Sequence, residues 1–266
     1  MLNNLKEVYK KDENDSAPIP YTGLLFMTDD FKNYLHNRVK DKFYDTEWTE
    51  KLISGAEEIE ETGFNSNNLI EIFESQEVPD TWRIGETLAE CVLEDYDNYK
   101  FYYASSRDLK NPNSSQTGAD LVGLCDIENS KYFVFGEVKT SSDNNIPPNV
   151  FYGEKGMSQQ LENLKEKEKK RHALVRWFWS KAINIGGDFK RNCKKALSSY
   201  TKSKYNKVKL VGVLVRDTDP NIRDLHARAK VLNHDIPTDM KIELIAIYTN
   251  LKAKNDNWVN VMDRGD

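Results

Sequence analysis

The chain has 266 residues, 38% of them hydrophobic and 30% charged, with a formal net charge of −5, three cysteines and four histidines. That length allows one large domain, or a catalytic domain with a smaller attachment, and no stretch is apolar enough to cross a membrane. Cys91, Cys125 and Cys193 are odd in number and far apart, and His36, His172, His226 and His234 lack ligand spacing, which argues against a disulfide framework and a zinc site; the missing Gly-x-x-x-x-Gly-Lys-Ser/Thr loop argues against an ATPase.

In chain order, residues 1 to 20 are polar and read as a loose arm. The opening Met-Leu-Asn-Asn-Leu-Lys lacks the basic-then-apolar order of a secretory signal, so a cytoplasmic protein is expected. Tyr21 to Met27 is a short apolar run of strand type. Asp29 and Asp30 then precede Phe31, Tyr34, Leu35 and Val39, the spacing of a helix opened by acids. Trp48, Leu52, Ile53 and Ile59, and later Leu69, Ile70, Ile72 and Phe73, predict further helical pieces. Residues 1 to 78 are therefore expected to form a small, acidic, mostly helical accessory domain. Its Glu57, Glu58, Glu60 and Glu61 read as a solvated face suited to docking a partner, because consecutive residues do not converge on one ion.

Pro79 and Asp80 mark a boundary, with a second domain expected over 79 to 266. Asp80 or Thr81 can cap a helix whose apolar stripe is Ile84, Leu88, Cys91, Val92 and Tyr96, with Glu86 and Glu90 four apart beside it. Tyr99 to Ser106 is β-rich and predicts a strand, followed by a loop over 107 to 117.

Gly118 to Cys125 and Lys131 to Thr140 predict a hairpin. Side chains alternate along a strand, so Phe133, Phe135, Glu137 and Lys139 share one face. A connection of two or four residues places Asp120 opposite Glu137 or Lys139, and the preferred reading is a four-residue loop, Ile127 to Ser130. An acid on one strand, with an acid and a lysine two apart on the next, suits phosphodiester hydrolysis. Two carboxylates can hold a hard divalent cation, and a lysine can position water or stabilise the phosphorane oxyanion. The same Glu-x-Lys triplet also occurs as a solvated charge pair. Here Phe133 and Phe135 suggest a strand that starts buried and emerges at its charged end.

After Lys139 comes a polar, proline-containing loop, Ser141 to Asn149. A long helix is then expected from near Ser158 until Gly186 and Gly187 stop it, with Gln159 and Gln160 in its first turn and Leu174, Val175, Trp177, Phe178, Trp179 and Ile183 buried later. Val208 to Val215 reads as a strand buried on both faces, Ile222 to Leu232 as a helix and Lys241 to Thr249 as a strand. Charge is segregated: residues 1 to 90 hold 20 acids and 9 bases, whereas 164 to 209 hold 3 acids and 15 bases. The basic tract is where a phosphate backbone would lie.

Gly-Ala-Asp at 118–120 and Glu-Val-Lys at 137–139 resemble the PD-(D/E)xK nuclease core, an α-β-β-β-α-β arrangement with a mixed sheet flanked by helices. Together with Gly-Glu-x-Leu-Ala-Glu at 85–90 and the Gln-Gln helix opening, over about residues 82 to 163, the chain resembles the HamA-type nuclease subunits of Hachiman antiphage defence systems. The resemblance implies a Mg2+ (or Mn2+)-dependent DNA nuclease controlled by a superfamily 2 helicase partner, HamB-like. It implies metal ligation by Asp120 and Glu137 with Glu86 or Glu90 assisting, a catalytic Lys139, and phosphate orientation by Gln159 or Gln160. Two other readings stand beside it: a non-catalytic nucleic-acid-binding subunit with a nuclease fold, and a stand-alone restriction-type endonuclease.

Overall fold

The computed structural model describes residues 5–13, 15–57, 80–108, 118–232, 234–253 and 257–264. Strands β1 (Leu5–Lys10) and β2 (Tyr21–Phe26) are followed by helices α1 (Thr28–Tyr34), α2 (Lys40–Phe43) and α3 (Thr46–Glu57), with a π-helical turn, Leu35–Val39, joining the first two. Helix α4 (Thr81–Asp97) precedes strands β3 (Leu121–Ile127) and β4 (Ser130–Ser141). Then come helices α5 (Met157–Glu166), α6 (Glu168–Ile185) and α7 (Gly187–Lys202), strand β5 (Val208–Arg216), helix α8 (Arg223–Val231), strand β6 (Lys241–Tyr248) and helix α9 (Asn257–Arg264).

The strands form one mixed sheet in the order β1-β2-β6-β5-β4-β3, with β2, β6, β5 and β4 parallel and the two edge strands antiparallel to their neighbours. Parallel neighbours need crossovers. Helices α5 to α7 connect β4 to β5, and α8 connects β5 to β6. The nearly unbroken apolar run of β5 follows from its central place: Leu210 and Leu214 face one helical layer, Val211, Val213 and Val215 the other.

On the first face Phe133 and Phe135 pack with Phe178 of α6 and Tyr200 of α7. On the second, Val134 and Val138 pack with Ile84, Leu88 and Val92 of α4, alongside Phe31, Leu35 and Trp258. Full burial of each such side chain contributes about 1.5–3 kcal/mol. All three cysteines are free and buried.

Several expectations are corrected. The loose arm contains β1, and β2 pairs in parallel with β6, so the sheet runs across the boundary expected at residue 78. Phe26, Phe31, Leu35 and Val39 share one core with α4 and α9, because an apolar N-terminal strand beside an open parallel edge buries more surface there than in a separate small domain. The helical run expected at 69 to 73, the acidic residues beyond Glu57 and the loop over 109 to 117 lie outside the described residues.

Tyr99 to Ser106 is not a strand. A single antiparallel bridge, Lys100 to Leu124, is followed by a 3-10 turn at Ser105–Asp108, so among the described residues two strands rather than three lie between α4 and α5. The expected long helix is broken at Lys167. There Arg171, buried, donates to the carbonyls of Leu164 at 2.8 Å and Lys165 at 2.6 Å, satisfying the last turn of α5 with a side chain. Part of the basic tract is thus internal support: Lys165 is also buried, donating to the His234 carbonyl at 2.6 Å.

Candidate active site

The hairpin turns on two residues, Glu128 and Asn129, both in the left-handed region, and Ile127 pairs with Ser130. This is one pair tighter than the expected four-residue loop, but the register is unchanged. Leu121 therefore faces Gly136, and Asp120, just before β3, falls level with Glu137. Asp120 Oδ2 accepts a hydrogen bond from the Val138 N–H at 2.8 Å. Lys139 Nζ donates to Glu137 Oε1 at 2.5 Å. Asp120, Glu137 and Lys139 meet where the sequence places them.

Burial sets the electrostatics. Glu137 is only 5% exposed; desolvation and the neighbouring Asp120 charge push its carboxyl up to about 7, against the pull of Lys139 and Lys170. Asp120 is also raised by burial, opposed by its Val138 hydrogen bond and by Lys139 and Lys170. Glu86, from α4, is pushed up to about 9 by burial, Asp120 and Glu90. Three carboxyls are thus held where their negative charge is under-compensated.

The two helix glutamates part company. Glu86 and Glu90 line one small cleft with Asp120, Arg83, Ser105 and Ser106, but Glu90 is held by Lys42 at 3.2 Å, and Lys42 also binds Glu94 at 2.9 Å. Glu86 is the one whose charge couples to both Asp120 and Lys139. Gly85 brings α4 this close: a Cβ there would overlap Thr140 Oγ1, one residue past Lys139.

The glutamines also separate. Gln159 is exposed and lines a different cleft with Glu162, Glu166, His234 and Pro237. Gln160 donates to the Glu154 carbonyl at 2.7 Å and accepts from Lys170 Nζ at 3.2 Å. Lys170, whose charge acts on Asp120 and Glu137, was not singled out within its basic run. Its signal was there: it follows Gln160 by ten residues, near three helical turns, though the helix breaks between them. Arg83, one turn before Glu86, was likewise missed and lines the cleft beside Asp120. A larger cleft of about 560 Å³, lined by Tyr99, Lys209 and Glu243 among others, lies at the opposite end of the strands and contains none of the expected site residues.

Among the described residues, no group of three or more His, Cys, Asp or Glu side chains is gathered as a ready-made metal cage. The oxygen-only donor set of Asp120 and Glu137, with Glu86 beside Asp120, nevertheless fits a hard divalent ion such as Mg2+, which keeps several waters and needs only one or two carboxylates. The raised carboxyls support that fit, since a cation would supply the missing positive charge.

Fold and site together define a mixed α/β protein, six strands flanked by helices, with a carboxylate–lysine cluster where β3 begins beside the second half of β4. The chain belongs to the HamA family, whose model matches residues 3–257. Membership indicates a role in Hachiman antiphage defence. No curated protein matches the chain. Among the described residues, no helix is long and apolar enough to cross a membrane.

Proposed function

We propose that this chain is a Mg2+- or Mn2+-dependent deoxyribonuclease of the PD-(D/E)xK type, acting in the cytoplasm as the effector subunit of a Hachiman system under the control of a superfamily 2 helicase. The observation that carries the reading is the meeting of Asp120, Glu137 and Lys139, with Glu86 of α4 lining the same cleft as Asp120. Asp120 and Glu137 would hold the ion, which when bound acidifies water and neutralises phosphate charge. Lys139 Nζ, which donates to Glu137, stands where it can also donate a hydrogen bond to an attacking water or to an oxyanion on phosphorus. Lys170, tied to Gln160, adds a second positive charge acting on Asp120 and Glu137 that a phosphate could use.

A second reading, a non-catalytic nucleic-acid-binding subunit, is favoured by one observation: Lys139 is already satisfied by Glu137, as in a structural ion pair. Incubating the purified chain with plasmid and single-stranded DNA, with Mg2+ or EDTA, beside Lys139→Ala separates the two. Mg2+-dependent product lost in the variant supports the nuclease; binding without product in either protein supports the second reading. Repeating the assay with a superfamily 2 helicase subunit of a Hachiman system tests the control.

A further inference from the structure

Next to the cleft lies an alternation of rings and cations that the cleavage chemistry does not use. The Arg107 guanidinium lies 4.6 Å from the centre of the Trp48 ring and 5.4 Å from that of Tyr103. Lys181 Nζ lies 4.8 Å from the Tyr103 ring and 5.9 Å from that of Trp177, and the two rings meet edge-on at 5.7 Å. The row across the surface is Trp48, Arg107, Tyr103, Lys181, Trp177. It joins α3, the 3-10 turn and α6. Two acids fix it: Asp45 binds Arg107 at 2.5 and 2.7 Å, and Asp108 accepts from Lys181 at 2.5 Å, Trp177 at 2.7 Å and Tyr103 at 2.8 Å.

The row is continuous with the candidate site. Ala104, Ser105 and Ser106, between Tyr103 and Arg107, line the cleft that holds Glu86 and Asp120. Trp48 is 39% exposed, a large ring left in water at the end of the row. Because Asp45 and Asp108 already neutralise Arg107 and Lys181, the row offers little net charge to a phosphate backbone. What it offers is π-faces and edges held at fixed spacing. Every base has a π-face, so such a surface takes bases without regard to sequence, but only when they are not paired in a duplex.

We propose that this row is a stacking track for unpaired nucleotides, which leads a single DNA strand to the carboxylates. The inference rests on the nuclease reading and adds to it the form of the strand that the site receives.

The test is binding of the full chain in EDTA to a labelled oligothymidine, to an abasic strand of the same length and to a duplex. The base-bearing strand is expected to bind at least about five-fold more tightly than the other two, and Trp48→Ala to weaken it about five-fold or more while leaving the abasic strand unchanged. Trp48→Phe, which keeps a ring, should recover most of the loss, so a folding defect in the alanine variant does not remove the test. Equal affinity for base-bearing and abasic strands, a preference for the duplex, or no effect of Trp48→Ala overturns the track. Plasmid cleavage with Mg2+ run alongside separates the failures: cleavage without base preference discards the track and keeps the nuclease, whereas base preference without cleavage does the reverse.

Discussion

Asp120 Oδ2 takes the Val138 N–H at 2.8 Å, one step beyond the last backbone pair of the hairpin, Leu121 with Gly136. A side chain extends the ladder at the point where the chain enters β3. The bond fixes the carboxylate beside Glu137 and Lys139. A hydrogen bond to a charged group contributes about 1.5–3 kcal/mol. Asp120→Ala should therefore destabilise the fold by about that amount in urea unfolding and also abolish cleavage. Asp120→Asn, whose amide oxygen can still accept from Val138, should keep most of the stability and still lose cleavage.

Glu137→Gln and Lys139→Ala should each lower Mg2+-dependent cleavage about 100-fold or more, because the first removes a negative charge that would hold the ion and the second a positive charge beside the reacting phosphate. Far-ultraviolet circular dichroism should be unchanged. A cleavage rate equal to that of the unaltered chain in either variant would discard the assignment.

The site should make stability fall with rising pH. Burial and neighbouring acids raise Glu86 to about 9 and Glu137 to about 7, so the folded chain holds protons that the unfolded chain, with carboxyls near 4.3, has released. The unfolded state then binds fewer protons, the slope of unfolding free energy against pH is negative, and the stability present below about pH 4 is lost progressively up to about pH 9. Melting temperatures measured from about pH 5 to 9 should decline, Mg2+ should offset the decline at the alkaline end, and Glu86→Gln should melt above the unaltered chain near pH 9 and converge with it near pH 5.

Gly85→Ala should destabilise despite the higher helix propensity of alanine. The added carbon meets Thr140 Oγ1, and pushing α4 away costs about 1–3 kcal/mol while moving Glu86 from Asp120. Thermal melting and cleavage should fall together. A more stable Gly85→Ala would show that the contact yields.

Gln160 and Gln159 are adjacent in sequence but should behave differently. Gln160→Ala releases Lys170 and should lower cleavage several-fold, whereas Gln159→Ala, in another cleft, should leave the rate unchanged in the same assay.

The helix carrying Glu86, the hairpin with Asp120 level with Glu137, and the doubly buried β5 were legible from the sequence because each is local. Alternation along a strand, an even turn and an apolar stripe of helical spacing need no distant partner. Choices that depend on remote contacts were not legible. Tyr99 to Ser106 has strand composition, but its backbone makes only one bridge, and its Tyr102 and Tyr103 rings pack on α7 and α6 instead.

By itself, then, the order of residues determined which side chains could meet on the hairpin, and hence the chemistry on offer. The tertiary structure decided which neighbours join them: Glu86 rather than Glu90, because Lys42 comes back from α2 to hold Glu90, and Gln160 with Lys170 rather than Gln159, because Arg171 ends α5 and turns the chain. It also decided that β1 and β2 complete the sheet, since the edge of β6 that β2 covers is contributed by residues more than 200 positions away. Those outcomes depend on desolvation and on contacts between distant segments, which no local pattern encodes.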